Sequence, residues 1–82
     1  MDLTRGQVVR SKAGRDKDRF LLLYETGDRY VTLVDGKERP LCRPKRKNVL
    51  HIQGTNTVLD ESVFTADKRI RKALSSFNES LL

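Results

Sequence analysis

The chain has 82 residues, of which 37% are hydrophobic, and it carries 17 Lys and Arg against 11 Asp and Glu, a formal net charge of +6. This length suits one domain with a modest core, and no apolar run approaches the roughly 20 residues that span a bilayer. The single cysteine, Cys42, excludes an internal disulfide framework and a thiolate metal site, and the first residues do not read as a signal peptide. We therefore expect a cytoplasmic protein.

The positive charge is concentrated in the first two-thirds of the chain. Residues 1–53 hold 13 Lys and Arg against 7 Asp and Glu, whereas residues 54–82 hold four of each. A clustered basic excess is the electrostatic signature expected of a protein that binds nucleic acid. The alternative is a basic soluble protein without a polyanionic partner.

A first strand is predicted around Val8 and Val9, followed by a turn-rich charged segment at residues 13–19. Alternation places Val9 on the core face and Val8 on the same face as Lys12, whose ammonium must reach water. Gly14 is the expected pivot of the loop because glycine adopts positive φ without steric cost.

Two further strands and a hairpin are predicted next. Phe20–Tyr24 is continuously apolar, as expected of a central strand covered on both sides, and Tyr30–Val34 is rich in β-branched and aromatic residues. Asp35-Gly36 predicts a type I′ hairpin turn. The return strand should be a short edge strand, because it contains Pro40, and it should end at Pro44.

The fifth predicted strand covers residues 48–53, with Leu50 and Ile52 inward and Val49 outward. Five short strands with tight turns and no helices between them indicate a mainly β fold, a small closed or nearly closed antiparallel barrel over residues 1–53.

The apolar period changes after a polar linker predicted at residues 54–64, which begins Gly54-Thr55-Asn56-Thr57. Residues 65–82 are predicted to contain an amphipathic helix, from about Ala66 to Phe77, with Thr65 as its N-cap and Asn78 as its stop. Its apolar stripe is expected to pack on the barrel as part of a single domain; docking on a partner protein or pairing with a second copy are the alternatives. The stripe comprises Val63, Ala66, Ile70, Ala73, Leu74, Phe77 and Leu81.

The pattern Gly6-x-Val8-Val9-x-Ser11-x-Ala13-Gly14-x-Asp16-Lys17, followed by an apolar strand, resembles a KOW motif. It is similar to the form found in one group of archaeal and eukaryotic large-subunit ribosomal proteins and in small bacterial RNA-binding proteins related to them. Asp18 stands where that family usually has glycine or a small residue. The likeness to the bacterial group continues in Asp35-Gly36-Lys37, in Arg43-Pro44-Lys45-Arg46-Lys47-Asn48 and in His51.

The resemblance spans about residues 6–53 and implies an SH3-like barrel that binds RNA, with ribosomal RNA or the ribosome as the expected partner and a role in translation. Two basic groups and one histidine are the candidate RNA-binding residues, and we expect both groups to lie on neighbouring loops. They are Lys12, Arg15, Lys17 and Arg19 in the first group, Arg43, Lys45, Arg46 and Lys47 in the second, and His51. Gly14 and Gly36 are interpreted as turn residues with no ligand.

Other functions are expected to be absent or secondary. One histidine and one cysteine, with no nucleophile–base set, no phosphate-binding Gly-Lys-Ser/Thr loop and no metal-ligand spacing, predict neither an enzyme nor a cofactor. The charge runs could alternatively be solvated surfaces whose charges pair with each other.

The rival function is a protein-interaction module of the kind found in transcription elongation factors with KOW motifs. Tyr24, Tyr30 and a helix aromatic exposed together would favour it.

Overall fold

Five antiparallel strands form one sheet in the computed structural model, which describes residues 3–79. The strands are β1 (Gln7–Ser11), β2 (Phe20–Glu25), β3 (Tyr30–Val34), β4 (Lys45–Asn48) and β5 (Ile52–Val58). A 3₁₀ turn, Val49–His51, connects β4 to β5, and a second, Glu61–Thr65, leads into helix α1 (Asp67–Glu79). The spatial order is β4-β3-β2-β1-β5, so the mainly β architecture with a C-terminal helix is confirmed.

Apolar side chains are buried on both faces of the sheet. On the face covered by α1, Val8 and Leu22 pack with Ile70 and Leu74 of the helix. The opposite face buries a second apolar cluster, formed by Val9, Leu21, Leu23, Val31, Leu33 and Ile52. The central position of β2 and the packing of the helix stripe on the sheet are thus confirmed, whereas the stripe residue Leu81 lies outside the described residues.

The outward assignment of Val8 is wrong. Its side chain is completely buried, as is that of Val9. The alternation argument assumed that one face of β1 is solvated, but α1 and the Glu61–Thr65 turn cover that face next to Val8. Only Arg10, later in the same strand, reaches solvent.

The predicted return strand after Asp35-Gly36 is also wrong. Residues 35–44 form a loop, and the strand that pairs with β3 begins after Pro44 rather than ending there. The carboxylate of Asp35 accepts hydrogen bonds from the backbone N–H groups of Lys37 and Arg39, both at 2.8 Å, and closes this loop locally. The strand at the edge beside β3 is instead β4, which contains no proline.

The last strand begins and ends later than predicted. Asn48 closes β4, and its side-chain oxygen accepts from Leu50 N–H at 2.9 Å, which caps the 3₁₀ turn. The turn changes the side-chain alternation, so Leu50 is 75% exposed instead of inward and Val49 is half-buried instead of outward. Ile52 is buried, as predicted.

Residues 54–58, assigned to the linker from their polarity, belong to β5. Val9 pairs with Gly54 and Gln7 with Val58 across the β1–β5 ladder. Side chains strengthen this pairing: the hydroxyl of Thr55 donates to Val8 O at 2.7 Å, and Gln7 Nε2 donates to Thr55 O at 2.8 Å. Residues 54–58 therefore form a strand in spite of their polarity, because they hydrogen-bond to β1.

The helix ends are held by contacts other than those predicted. Thr65 donates its hydroxyl to Ser62 O and does not cap α1. Asn78 lies inside α1, and its amide contacts the backbone of Phe20, accepting from the N–H at 2.9 Å and donating to the carbonyl at 3.3 Å. Asp67 accepts from Leu41 N–H at 2.8 Å, so both ends of α1 are tied to the sheet or its loops.

Gly36 is a point of close contact between the 35–44 loop and α1. Its φ is +79°, and Arg71 of the helix donates to its carbonyl oxygen at 2.6 Å. A Cβ at this position would collide with the backbone carbonyl of Asp67. Gly36 is therefore needed for helix packing as well as for its backbone conformation.

Replacement of Gly36 by alanine is expected to lower the free energy of unfolding by at least about 2 kcal/mol, since positive φ and a backbone collision both oppose a Cβ. Gly14→Ala is the matched control, because Gly14 has φ +87° but its Cβ would meet only side-chain atoms at 3.7 Å. It should cost about 1 kcal/mol. Urea denaturation measures both, and equal losses would contradict the role of Gly36 in helix packing.

Candidate functional site

The ammonium group of Lys47 fixes the β1–β2 loop to β4. Lys47 is 7% exposed, and its Nζ donates to Asp16 Oδ1 at 2.6 Å, Ser11 Oγ at 2.7 Å and Ala13 O at 2.8 Å. These three acceptors match the three N–H donors of an ammonium group. A lysine on the edge strand β4 thus connects that strand to the loop after β1.

Asp16 is the centre of this contact, because it also binds a second lysine. The Nζ of Lys45 lies 3.3 Å from Asp16 Oδ2, and the Ser11 hydroxyl donates to Oδ1 at 2.7 Å. Burial alone would raise the pKa of Asp16, but hydrogen bonds from Lys47, Ser11 and Lys45 outweigh it and lower the pKa to about 2. The carboxylate is therefore ionised at neutral pH and joins the two basic groups.

The β1–β2 loop has a defined conformation. Gly14 has φ +87°, as expected of the pivot, and Lys17 N–H bonds to Gly14 O at 3.2 Å. Asp18 has φ +70°, the only positive value among the described non-glycine residues. The left-handed conformation is uncommon for non-glycine residues, and aspartate is among the residues that tolerate it best.

A cleft of about 770 Å³ opens between this loop, the 35–44 loop and α1. Leu21 and Leu74 contribute apolar walls. Six cationic side chains line it, and they are Arg15, Arg19, Lys37, Arg39, Lys45 and Arg71. Four carboxylates line it as well, and they are Asp16, Asp35, Glu38 and Glu79. Those of Asp16 and Asp35 are engaged by Lys45 and Lys47 and by backbone N–H groups, and the Arg71 guanidinium is engaged by the Gly36 carbonyl. Among the described residues, the remaining charged groups of the cleft are four cations and two carboxylates, so cations dominate: Arg15, Arg19, Lys37 and Arg39 against Glu38 and Glu79.

The candidate residues of the sequence analysis fall into three sets. Arg15, Arg19 and Lys45 meet in the cleft, with Arg15 and Arg19 exposed and the Lys45 side chain 24% exposed. Lys47 is buried and bound within the protein, so it stabilises the site and is not available to a phosphate. The remaining candidates are exposed and do not line the cleft: Lys12, Lys17, Arg43, Arg46 and His51.

The sequence analysis missed three cationic side chains of the cleft. Lys37 and Arg39 belong to the loop that was interpreted as a hairpin turn and return strand, and Arg71 lies on the helix outside the predicted apolar stripe. The resemblance at Asp35-Gly36-Lys37 was a usable signal for Lys37. Nothing in the sequence pointed to Arg71, because its position depends on how α1 packs against Gly36.

The aromatic side chains do not form one exposed group. Tyr24 packs against Phe64 with ring centroids 5.4 Å apart, and the guanidinium of Arg5 lies over both rings. Tyr30 is 43% exposed, and the guanidinium carbon of Arg46 lies 3.9 Å from its ring centroid. The exposed cluster of Tyr24, Tyr30 and a helix aromatic that would favour a peptide-binding module is therefore not formed.

Comparison with known proteins adds no relative: a scan of family models finds no match, and a search of curated proteins finds none either. Across residues 3–79, no helix is long and apolar enough to cross a membrane. The same residues contain no group of three or more His, Cys, Asp or Glu side chains arranged to hold a metal ion. Cys42 is a free, exposed thiol.

Asp16 is expected to make the protein acid-sensitive. Because its pKa is lower in the folded chain than the ordinary 3.8, its stabilising contribution is present above about pH 4 and is lost as the pH falls towards 2. Between these limits the difference in unfolding free energy between wild type and Asp16→Asn should shrink by about 1 to 2 kcal/mol, allowing for solvent screening. Urea denaturation at the two pH values measures this difference.

At neutral pH, Asp16→Asn should destabilise by about 2 to 3 kcal/mol, because it leaves the buried ammonium of Lys47 without its counter-ion. Asp18→Asn serves as the control, since the Arg10–Asp18 pair is exposed on both sides and should contribute less than about 1 kcal/mol. If Asp16→Asn were no more harmful than Asp18→Asn, the loop would not depend on the Lys47 contact.

The left-handed conformation of Asp18 predicts an order of stability for two substitutions. Asp18→Gly and Asp18→Ala both remove the ion pair with Arg10, but only glycine adopts φ +70° without strain. We expect Asp18→Gly to be more stable than Asp18→Ala by about 1 kcal/mol. Thermal unfolding of the pair measures the difference, and a more stable alanine variant would contradict the assigned backbone conformation.

Proposed function

We propose that the protein is a non-enzymatic RNA-binding protein that grips structured RNA through the cation-lined cleft. The proposed fold is a small SH3-like barrel of the KOW type, in which the short 3₁₀ turn that links the two edge strands β4 and β5 would bring the sheet edges together. The motif resemblance over residues 6–53 and the five short antiparallel strands support this assignment. Ribosomal RNA or a ribosome-associated particle in the cytoplasm is the proposed partner, on the basis of that resemblance.

The observation that carries the proposal is the bridge from Asp16 to Lys45 and Lys47. It joins the loop that presents Arg15 and Arg19 to the strand that follows Pro44. Arginine guanidinium groups suit this purpose, because their planar fork of donors matches phosphate oxygens. An anchored loop also loses little conformational entropy when it binds.

Binding is expected to depend mainly on phosphates and RNA shape. The exposed cations far outnumber the side chains that read base edges, and A-form RNA offers its phosphates and 2′-hydroxyl groups more readily than its deep major groove. Lys47 does not take part directly in this proposal. Its role is to hold Asp16 and the loop in place.

Replacement of Arg15, Arg19 and Arg39 together by alanine should weaken RNA binding at least tenfold, because three cleft cations are removed. It should also make the slope of log K against log salt shallower by about 2, since each phosphate contact contributes about −0.7 to −0.9. The measurement is fluorescence anisotropy of the purified full chain with a labelled, fully paired RNA hairpin over a salt series. Circular dichroism checks that the variant is folded.

The matched control is the triple alanine variant of Lys68, Arg69 and Lys72, exposed residues of α1 that lie outside the cleft. It loses the same charge and should keep its affinity within about threefold. If both variants weakened RNA binding equally, the loss of affinity would reflect the lower net charge and not the cleft. A wild-type slope near zero would refute RNA binding through phosphates, and crosslinking followed by sequencing would identify the RNA bound in cells.

A further inference from the structure

Successive side chains of the edge strand β4 point to opposite faces of the sheet. Lys45 and Lys47 pair with Leu33 and Val31, whose side chains belong to the cluster on the face away from α1. Arg46 pairs with Thr32 and is therefore directed to the other face, where it meets Tyr30. Lys45, which lines the cleft, and Arg46, which lies over Tyr30, are thus chain neighbours on opposite faces of one strand.

The pair of Tyr30 and Arg46 has the geometry of a stacked cation and ring. The guanidinium carbon is 3.9 Å from the ring centroid, and both side chains are exposed. Within residues 3–79 no carboxylate forms an ion pair with Arg46, so its charge is not neutralised inside the described part of the protein.

We infer that Tyr30 and Arg46 form a stacking platform for an unpaired nucleobase of the RNA whose phosphates occupy the cleft. This inference rests on the proposed RNA-binding function. Planar guanidinium and phenol groups stack on bases of any sequence, because every base has a π face. An RNA strand that crosses the β4 edge would meet Lys45 on one face and Arg46 on the other, because successive side chains of a strand point to opposite faces.

The chain after β4 supplies a route for the RNA from the stacking platform to the β1–β2 loop. Leu50 is 75% exposed in the 3₁₀ turn, and His51, also exposed, accepts a hydrogen bond at its carbonyl oxygen from Lys12 N–H at 2.8 Å. Lys12 is exposed in turn and opens the loop that carries Arg15 and Arg19. Because the stacking platform takes an unpaired base and the cleft takes phosphates of paired RNA, the preferred RNA is a duplex interrupted by unpaired nucleotides, rather than a continuous helix.

The test compares two RNA hairpins of equal length and phosphate number. One has a fully paired stem, and the other has an internal loop of adenosines opposite adenosines in its stem, with one of these adenosines replaced by 2-aminopurine; both stems are closed by the same apical loop. Wild type should bind the looped hairpin about tenfold more tightly than the paired one, and the 2-aminopurine fluorescence should change on binding as the base stacks on the protein. Anisotropy gives the affinities, and the whole chain is used.

Tyr30→Leu and Arg46→Lys each remove a planar group, and Arg46→Lys does so while keeping the charge. Both should reduce the preference for the looped hairpin to about twofold or less, with affinity for the paired hairpin changed by less than about threefold. Arg69→Lys, an exposed arginine of α1, is the control and should keep the full preference. Thermal unfolding confirms that each variant is folded.

The outcomes separate this inference from the proposed function. Salt-sensitive binding of both hairpins with equal affinity would overturn the stacking platform and leave phosphate binding in the cleft intact. The same conclusion would follow if Tyr30→Leu and Arg46→Lys kept the wild-type preference. Failure of wild type to bind either hairpin would overturn both proposals.

Discussion

The arrangement of the site depends on the hydrogen bonds of the buried Lys47 ammonium group. It satisfies its three donors with Asp16, Ser11 and Ala13, and so links an edge strand to a loop that lies two strands away in the sheet order. Burial of this charge is tolerable because a carboxylate and two further acceptors compensate for the lost water. Removal of one partner would leave an uncompensated charge, and for this reason the loop and the strand hold each other.

The short strand β4 performs two tasks because its side chains alternate. On one face Lys45 and Lys47 hold Asp16, and on the other Arg46 lies over Tyr30. A strand composed of Lys, Arg, Lys and Asn has little intrinsic tendency to extend in a sheet. It pairs with β3 because its side chains find partners on both faces, and its exposed charges also discourage pairing with another sheet edge.

Helix α1 contributes to the candidate site as well as to the core. It buries Ile70 and Leu74 against the sheet, and from the same helix Arg71 binds the carbonyl of Gly36 and lines the cleft. The 35–44 loop is thereby held against the helix, which brings Lys37 and Arg39 towards Arg15 and Arg19. A basic helix residue outside the apolar stripe therefore helps to shape the surface that we propose binds RNA.

The sequence by itself determined the mainly β class, the positions of β2 and β3, the pivot at Gly14, the amphipathic helix and the concentration of charge, because period, turn residues and charge are local properties. Only the tertiary structure decided that Val8 is buried, that the polar residues 54–58 form a strand and that Leu50 is exposed, since each depends on what packs or pairs beside it. The same holds for the basic groups. Lys45, Arg46 and Lys47 are equivalent cations in the sequence, but their surroundings in the fold differ. Lys45 lines the cleft, Arg46 lies over the ring of Tyr30, and Lys47 is buried against Asp16. The difference arises because side chains alternate along the strand and because Asp16 belongs to a distant loop.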